Sequence, residues 1–180
     1  MTRALLAATL LIGTACSPTN GDQAPVDAID TPAAASSLEL PNLRYPLPSI
    51  RTAGHISAAD IDALGAAGVR HVIDLTLDSE TPGFDEAAAM RAAGIAYDNL
   101  PIGGPAALTR ENVQAFDALV TGAARPLLVH CASSNRVGAM AALRAAWIQG
   151  RPVEEAIAIG HAWGLQSLEG AVRERLEAGQ

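Results

Sequence analysis

The chain has 180 residues, a formal net charge of −7 and 3% aromatic residues, and its 12 basic residues are all arginine. An acidic chain without a basic stripe is not suited to follow a nucleic-acid backbone or an anionic membrane surface, and so few aromatic rings exclude a base-stacking platform. We therefore expect no nucleic-acid partner. With 49% apolar residues and no internal repeat, the composition predicts one modest globular domain with additional segments.

The N-terminal residues 1–16 have the pattern of an export signal. Arg3 gives a positive start, Ala4–Ile12 is apolar, and Gly13–Ala15 supplies a small-residue cleavage site before Cys16. The apolar stretch is too short to span a bilayer. A cysteine at this position resembles a bacterial lipobox, which implies a lipid anchor on Cys16 and a periplasmic, membrane-anchored lipoprotein. Simple signal cleavage, which leaves a soluble protein, is the alternative.

Residues 17–38 are rich in Pro, Ala, Ser, Thr and Asp and show no periodicity. Such a segment cannot bury enough apolar surface to fold, so it is predicted to be a disordered tether. The folded domain then comprises residues 39–180. Cys131 is its only thiol, and in an oxidising compartment a cysteine without a disulfide partner favours a chemical role.

Apolar runs in the domain alternate with segments of helical pattern. Strands separated by helices imply right-handed crossovers, so we predict an α/β fold with a central, mainly parallel sheet of about four or five strands flanked by helices. The predicted strands are Ser49–Thr52, Arg70–Leu75, Ile95–Leu100 and Pro126–His130. The predicted helices are Ser57–Gly68, Phe84–Ala93, Thr109–Thr121, Val137–Ile148, Pro152–Trp163 and Ser167–Ala178.

A thiol and an arginine flank a short polar loop at the end of the last predicted strand. Cys131 follows the strand, Ala132–Asn135 forms the loop, and Arg136 precedes a helix that is apolar almost all round. The N-terminus of a helix favours a thiolate and attracts oxyanions, and a guanidinium can clamp two oxygens of an anion over the loop. A buried structural cysteine beside an unrelated arginine is the alternative interpretation.

This arrangement resembles the cysteine-dependent protein tyrosine and dual-specificity phosphatases and their relatives, the rhodanese sulfurtransferases. Residues 44–150 are similar to one bacterial branch in particular, the phosphatase-like domain that also occurs fused to beta-lactamase-like hydrolases. The similar segments are Thr52–Asp60, Gly68–Leu75, Asn99–Ile102 and the loop from His130 to Gly138.

The resemblance implies hydrolysis of a phosphomonoester, either a small molecule or a phosphoprotein. Cys131 would attack phosphorus as a thiolate, and Arg136 with the loop amides would stabilise the phosphate oxygens. His130 is expected to orient the loop from behind, with a buried imidazole of no special role as the alternative. No cofactor and no metal are expected, because no Cys/His pair has ligand spacing. The expected phosphate-binding loop is Ala132, Ser133, Ser134, Asn135 and Val137.

The general acid is not evident from the sequence. In the dual-specificity phosphatases an aspartate follows the third strand, but Pro101–Ala107 contains no carboxyl group. Ligands bind beyond the carboxyl ends of parallel strands, which makes Asp78, Glu80 and His55 candidates for the proton donor. Asp85 is a further candidate, Asp98 lies too early in the sequence, and for each of these groups a solvated surface position is the alternative.

Three departures from the phosphatase pattern leave other functions open. The loop has four residues between Cys131 and Arg136 where most cysteine phosphatases have five, Ser134 replaces the usual glycine, and Val137 replaces a Ser or Thr that assists release of phosphate. A left-handed backbone at Ser134 would be strained unless Asn135 adopts that conformation. The alternatives are a sulfurtransferase with a persulfide on Cys131 and a non-catalytic module that binds an anion or a phosphopeptide.

If Cys16 carries the lipid anchor, Cys16→Ser should move the protein from the membrane fraction to the periplasmic soluble fraction. The substitution lies outside the predicted folded domain, so the thermal unfolding of that domain should not change. Immunoblots of fractionated cells measure the shift. A parent protein that is already soluble would indicate simple signal cleavage instead.

Overall fold

The computed structural model describes residues 38–179. The predicted export signal of residues 1–16, the lipid anchor at Cys16 and all but the last residue of the predicted tether lie outside the described residues. Within the described part, no helix is both long and apolar enough to cross a membrane.

The centre of the fold is a sheet of five strands in the order β1-β2-β5-β3-β4. The last four strands in this order run parallel, and only β1 is antiparallel to its neighbour β2. The predicted α/β fold with a mainly parallel sheet is therefore confirmed. The strands are β1 (Arg44–Leu47), β2 (Ile50–Ala53), β3 (His71–Asp74), β4 (Ala96–Asn99) and β5 (Leu127–His130).

Six α-helices of the described chain flank the sheet, and three short 3-10 turns connect them to strands. The helices are α1 (Ile61–Ala66), α2 (Glu86–Ala92), α3 (Arg110–Gly122), α4 (Asn135–Trp147), α5 (Val153–Trp163) and α6 (Glu169–Ala178). The 3-10 turns are Ala58–Asp60, Asp78–Glu80 and Pro105–Ala107.

The edge strand β1 was not predicted from the sequence. It is short, it contains Pro46, and the exposed fraction of Tyr45 is 61%. Proline is tolerated at an edge because one side of the strand has no neighbour to receive a hydrogen bond. The pattern of this segment is therefore that of a loop, although it pairs with β2.

Side-chain caps explain where several helices begin. The hydroxyl oxygen of Thr109 accepts a hydrogen bond from the Asn112 amide at 3.2 Å, as predicted for the start of α3. Asp85 caps α2 by accepting from the Ala88 amide at 2.9 Å, so that helix begins two residues after the predicted Phe84. The last helix also begins two residues late, at Glu169, because Ser167 contributes to a different contact described below.

Successive side chains of each strand point to opposite faces of the sheet and so divide the core into two layers. Leu127 and Val129 of β5 face a layer built by α3 to α6, and Leu128 faces a layer built by α1 and α2. Every residue of β5 is buried, as expected for the central strand of a parallel sheet. In the first layer the rings of Phe116 and Trp163 meet edge to face, with centroids 6.4 Å apart.

Small residues bring α4 and α5 into close contact. Gly138 of α4 lies directly against the backbone of Leu165, just after the end of α5. A Cβ on Gly160 of α5 would lie 2.8 Å from the Cβ of Ala142. The near-continuous apolar pattern of α4 therefore reflects burial by two neighbouring segments rather than a single apolar stripe.

We expect Gly138→Ala to destabilise the fold by about 3 kcal/mol or more, because the added Cβ would overlap with the backbone nitrogen of Leu165. Gly65→Ala in α1 is the matched control. A Cβ at Gly65 has no neighbour within 4 Å, so that substitution should be neutral or stabilising by up to about 1 kcal/mol. Urea unfolding of both variants measures the difference, and equal effects would contradict the packing described here.

Candidate active site

The loop that carries the thiol leaves the carboxyl end of the central strand. Cys131 follows β5 directly and is fully buried. Its amide donates to the carbonyl of Ala53 at 3.4 Å, and the His55 amide donates to the carbonyl of Ala132 at 3.2 Å. A Cβ at Gly54 would lie 3.1 Å from that carbonyl oxygen. Glycine at this position thus permits the close approach of the loop to the end of β2.

Ser134 adopts the left-handed conformation in the middle of the loop, with φ of 68°. The sequence indicated strain at Ser134 unless Asn135 adopted this conformation, and it is Ser134 that adopts it. A non-glycine residue there costs roughly 1–2 kcal/mol. The residue is fully buried, its hydroxyl donates to the carbonyl of Trp163 at 3.3 Å, and Gly164 packs against its side chain. Tertiary contacts therefore hold the strained residue in place.

Asn135 ties the other side of the loop to the segment that follows α5. Its side-chain oxygen accepts from the amides of Gln166 at 2.8 Å and Leu168 at 3.3 Å. Its side-chain nitrogen donates to the hydroxyl of Ser167 at 2.7 Å. This contact explains why Ser167 does not cap α6, and it anchors the first residue of α4.

The amides at the N-terminus of α4 lie within the loop. The first helical hydrogen bond of α4 runs from the Gly138 amide to the Ser134 carbonyl at 2.9 Å. The amides of Asn135, Arg136 and Val137 precede that bond, so they have no partner within the helix. Such amides, together with the positive end of the helix dipole, form an anion-binding site.

Arg136 is held by an acidic residue from the 3-10 turn after β3. Nη1 and Nη2 of Arg136 donate to the two carboxylate oxygens of Glu80 at 2.7 Å and 2.6 Å. Nη1 also donates to the carbonyl of Ile102 at 2.8 Å. The two bonds to Glu80 use the edge of the guanidinium formed by Nη1 and Nη2, so they fix the orientation of its plane.

The ion pair changes the titration of both partners. The hydrogen bond from Arg136 is the main reason that the pKa of Glu80 lies below its usual value. Glu80 in turn is the main cause of a raised pKa for Arg136, and the nearby thiol of Cys131 raises it further. Glu80 is therefore an ionised acceptor that orients Arg136, which is unfavourable for the proton-donor role considered for it.

His55 shares a cavity with Glu80. The cavity has a volume of about 260 Å³, His55 is exposed, and its charge contributes to the lowered pKa of Glu80. Phe84 provides an apolar wall. Since His55 also donates its amide to the loop at Ala132, the cavity adjoins the candidate phosphate-binding site.

The remaining acid candidates lie elsewhere. Asp78 is exposed and lines a second cavity of about 340 Å³. Asp85 caps α2, and the carboxylate of Asp98 is in hydrogen-bond contact with Nε2 of His71 at 2.7 Å. Another cavity, of about 380 Å³, lies at the C-terminal end of α4, away from the loop.

The imidazole of His130 lies beside two buried carboxyl groups that sequence reasoning did not connect with it. Nε2 of His130 is 3.4 Å from Oδ1 of Asp74 and 2.9 Å from Oε1 of Glu86. Among residues 38–179, neither ring nitrogen of His130 has a hydrogen-bond partner. The parallel register pairs Asp74 with His130, but nothing in the sequence pattern of α2 distinguishes Glu86 from a solvated residue.

Polar side chains surround Asp74 on its other sides. Its carboxylate accepts from the amide and hydroxyl of Thr76 at 2.7 Å and 2.8 Å, from the Tyr97 hydroxyl at 2.9 Å and from the Asn99 side chain at 3.2 Å. Burial, followed by the charge of Asp74, raises the pKa of Tyr97. The phenol therefore keeps its proton and acts as a donor.

Residues 42–148 match the family described as beta-lactamase hydrolase-like protein, phosphatase-like domain. The matched stretch contains all five strands, the thiol loop and α4, and it is more than half of the chain. The chain belongs to this family. The expected resemblance is therefore confirmed for the phosphatase-like domain.

Curated relatives of this phosphatase-like domain are longer proteins. The beta-lactamase hydrolase-like protein of Xylella fastidiosa (strain Temecula1 / ATCC 700964) is 38% identical over 102 residues, which are 54% of this chain and 23% of the relative. The chain thus matches about a quarter of the length of that relative. The similarity concerns the domain, not the remainder of the longer protein.

Solved structures show the same fold. A structure of a candidate phosphatase from Neisseria meningitidis Z2491 has a TM-score of 0.65 at 24% identity and covers 79% of this chain and 100% of its own. A Cys-to-Ser variant of P. aeruginosa TpbA in complex with pTyr has a TM-score of 0.52 at 19% identity. The match covers 79% of this chain and 85% of the TpbA chain. At these identities the likeness establishes the architecture of the domain.

We expect Glu80→Gln to lower the free energy of unfolding by about 1 kcal/mol at neutral pH, because Arg136 loses its ionised partner. The pKa of Glu80 is lowered in the folded state, so this contribution is present above the ordinary carboxyl pKa and disappears as the pH falls through the folded-state value. The free energies of unfolding of parent and variant, measured with urea across acidic pH, should therefore converge at the lowest pH.

Glu155→Gln is the control for Glu80→Gln, since it removes an exposed ion pair with Arg151 four residues away. Exposed pairs of this kind contribute about 0.3–0.5 kcal/mol. Glu80→Gln and Glu155→Gln should not lower the free energy of unfolding equally. Equal losses, or a pH-independent difference between the parent and Glu80→Gln, would contradict the role of ionised Glu80 as the partner of Arg136.

Proposed function

We propose that the chain is a cysteine-dependent phosphatase that hydrolyses phosphomonoesters of small molecules or phosphoproteins through a cysteinyl-phosphate intermediate. The observation that carries the proposal is the loop itself: Cys131 and Arg136 flank the unpaired amides at the start of α4, and Glu80 holds the guanidinium of Arg136 in place. A fixed guanidinium and unpaired helix amides are preorganised for the charge that develops on phosphate oxygens. Membership in a phosphatase-like family supports the same reaction class.

In the proposed first step the Cys131 thiolate attacks phosphorus. An S–P bond forms, the bond from phosphorus to the ester oxygen breaks, and that oxygen leaves with a proton. In the second step water attacks phosphorus, releases inorganic phosphate and regenerates the thiolate. Arg136 and the amides at the start of α4 stabilise the extra negative charge in both steps.

His55 is the proposed proton donor for the first step. It lines the cavity next to the loop, whereas Glu80 in the same cavity is engaged with Arg136. Asp78 lines the other cavity, together with Asp74 and Glu86. A substrate with an activated aryl leaving group needs little protonation, so it tests the role of Cys131 independently of the acid.

A rhodanese-like sulfurtransferase is the second candidate, favoured by the residue that follows Arg136. Val137 is fully buried and offers no hydroxyl to assist hydrolysis of a cysteinyl-phosphate. Persulfide transfer requires neither that hydroxyl nor a general acid. Cys131 would attack the outer sulfur of thiosulfate, the S–S bond would break to release sulfite, and cyanide would then remove the sulfur from the persulfide as thiocyanate.

Export and membrane attachment through Cys16 form a separate proposal. It is supported by the sequence pattern of residues 1–16 and is tested by the fractionation of the Cys16→Ser variant. The catalytic proposal does not depend on its outcome.

We expect an aryl phosphate to give a burst of leaving group followed by a slow steady rate, because Val137 leaves the second step without assistance. Val137→Ser should raise the steady rate several-fold and change the burst less. Val137→Ala is the matched control, since it removes the same buried contacts without adding a hydroxyl. Either substitution removes two buried methyl groups and is expected to reduce stability by about 2 kcal/mol, and circular dichroism verifies folding.

Cys131→Ser should abolish the burst. A parent chain that gives no burst, with a Val137→Ser variant no faster than Val137→Ala, would reject the phosphatase. Rapid formation of thiocyanate from thiosulfate and cyanide in that case identifies the sulfurtransferase. Inactivity in both assays, with vanadate or phosphate still bound, identifies a binding module.

A further inference from the structure

Three potential metal-ligating side chains meet beneath the start of the thiol loop. Asp74 ends β3, His130 ends β5, and Glu86 begins α2. Each is more than nine-tenths buried, with exposed fractions of 3% for Asp74, 0% for His130 and 5% for Glu86. One potential ligand atom from each residue lies within 4.8 Å of those from the other two. We refer to these three residues as the buried triad.

Hydrogen bonds account for Asp74 but not for the other two members of the triad, His130 and Glu86. Nε2 of His130 approaches Glu86 and Asp74 at 2.9 Å and 3.4 Å, but neither contact has the orientation of a hydrogen bond. Within residues 38–179, both carboxylate oxygens of Glu86 and both ring nitrogens of His130 have no hydrogen-bond partner. A buried carboxylate without partners is strongly unfavourable unless a positive charge compensates it.

The surroundings leave the charge of the triad unbalanced. The two carboxyl groups carry two negative charges when ionised, and one imidazole could offset only one of them. Asp78 and Asp85 line the same cavity as Asp74 and Glu86, and these two exposed carboxyl groups add negative potential. A single divalent cation would balance the two buried carboxylates while the imidazole acts as a neutral ligand.

The separations of the imidazole nitrogen from the two carboxylates are close to those in metal sites. Zinc binds imidazole nitrogen and carboxylate oxygen at about 2.0–2.2 Å, which places neighbouring ligand atoms roughly 3 Å apart. The two distances from His130 Nε2 agree with that separation. Asp74 has the supporting donors Thr76, Tyr97 and Asn99 around its carboxylate, which is the arrangement that fixes ligating carboxylates in metal sites.

We infer that Asp74, Glu86 and His130 form an inner-sphere site for one divalent transition-metal cation. One imidazole and two carboxylates suit zinc, with iron(II) or manganese(II) as related occupants, and the imidazole disfavours magnesium and calcium. The adjoining cavity of about 340 Å³, lined by Asp74 and Glu86, provides an entry path and room for water ligands. Because His130 precedes Cys131, the cation fixes the strand end from which the thiol loop begins.

The test uses the full chain with both thiols removed by Cys16→Ser and Cys131→Ser, because a thiolate would also bind zinc. The chain is stripped with EDTA and titrated with zinc by calorimetry, and cobalt(II) serves as a visible probe of the coordination sphere. We expect one equivalent of zinc, a raised thermal unfolding temperature and visible cobalt bands. Magnesium in the same titration should bind far more weakly.

Glu86→Gln in this background should weaken zinc binding by at least about 100-fold, since even supporting residues of metal sites change affinity by 10–100-fold. Asp78→Asn is the matched control, because Asp78 lines the same cavity but is outside the triad. The zinc affinity of this variant should stay within a few-fold of that of the parent. Circular dichroism verifies that both variants fold. If Glu86→Gln does not fold, Asp74→Asn replaces it and is expected to show the same loss.

Three results would overturn the inference. The first is failure of the thiol-free chain to bind zinc or cobalt at micromolar concentrations. The second is a triad variant that binds zinc as tightly as the parent does. The third is an Asp78→Asn variant that loses as much affinity as the triad variant. The last result would indicate diffuse attraction by an acidic cavity rather than a defined site.

Discussion

The whole site depends on the backbone path between Cys131 and Arg136, which turns from the central strand into α4 in four residues. That turn requires a left-handed conformation at Ser134, a residue with a Cβ, so the surrounding chain must supply the stabilisation. The end of β2 holds one side through Gly54 and His55. The last residue of α5 holds the other side through its bond to Ser134, and the segment after α5 does so through its bonds to Asn135.

Most of the parallel sheet could be predicted from the sequence because buried strands are continuous apolar runs between Gly and capping residues. The runs that became β3 and β5 illustrate this, and Thr109 identified the start of α3 correctly. The edge strand β1 could not be predicted, because its pairing depends on the presence of β2 rather than on its own pattern.

In the candidate site, too, the residues that are close in sequence could be predicted, and those that meet only through tertiary packing could not. Cys131 and Arg136 are close in sequence, and the loop that joins them has a local pattern. The partner of Arg136 is Glu80, 56 residues away, and the neighbours of His130 are distant in sequence too. Such pairs arise from tertiary packing, and local spacing contains no signal for them. The proposed ligands Asp74, Glu86 and His130 likewise come from separate elements, so the spacing of residues along the sequence contains no signal for their proximity.

His130 and Cys131 are consecutive residues whose side chains leave the strand end in opposite directions. The imidazole joins Asp74 and Glu86 on the side of α2, and the thiol belongs to the apolar layer built by α3 to α6. The sheet therefore acts as a partition between two chemically distinct compartments. Substitutions in one compartment can change its polarity or volume without touching the other, and a single peptide unit is the shortest mechanical link between them.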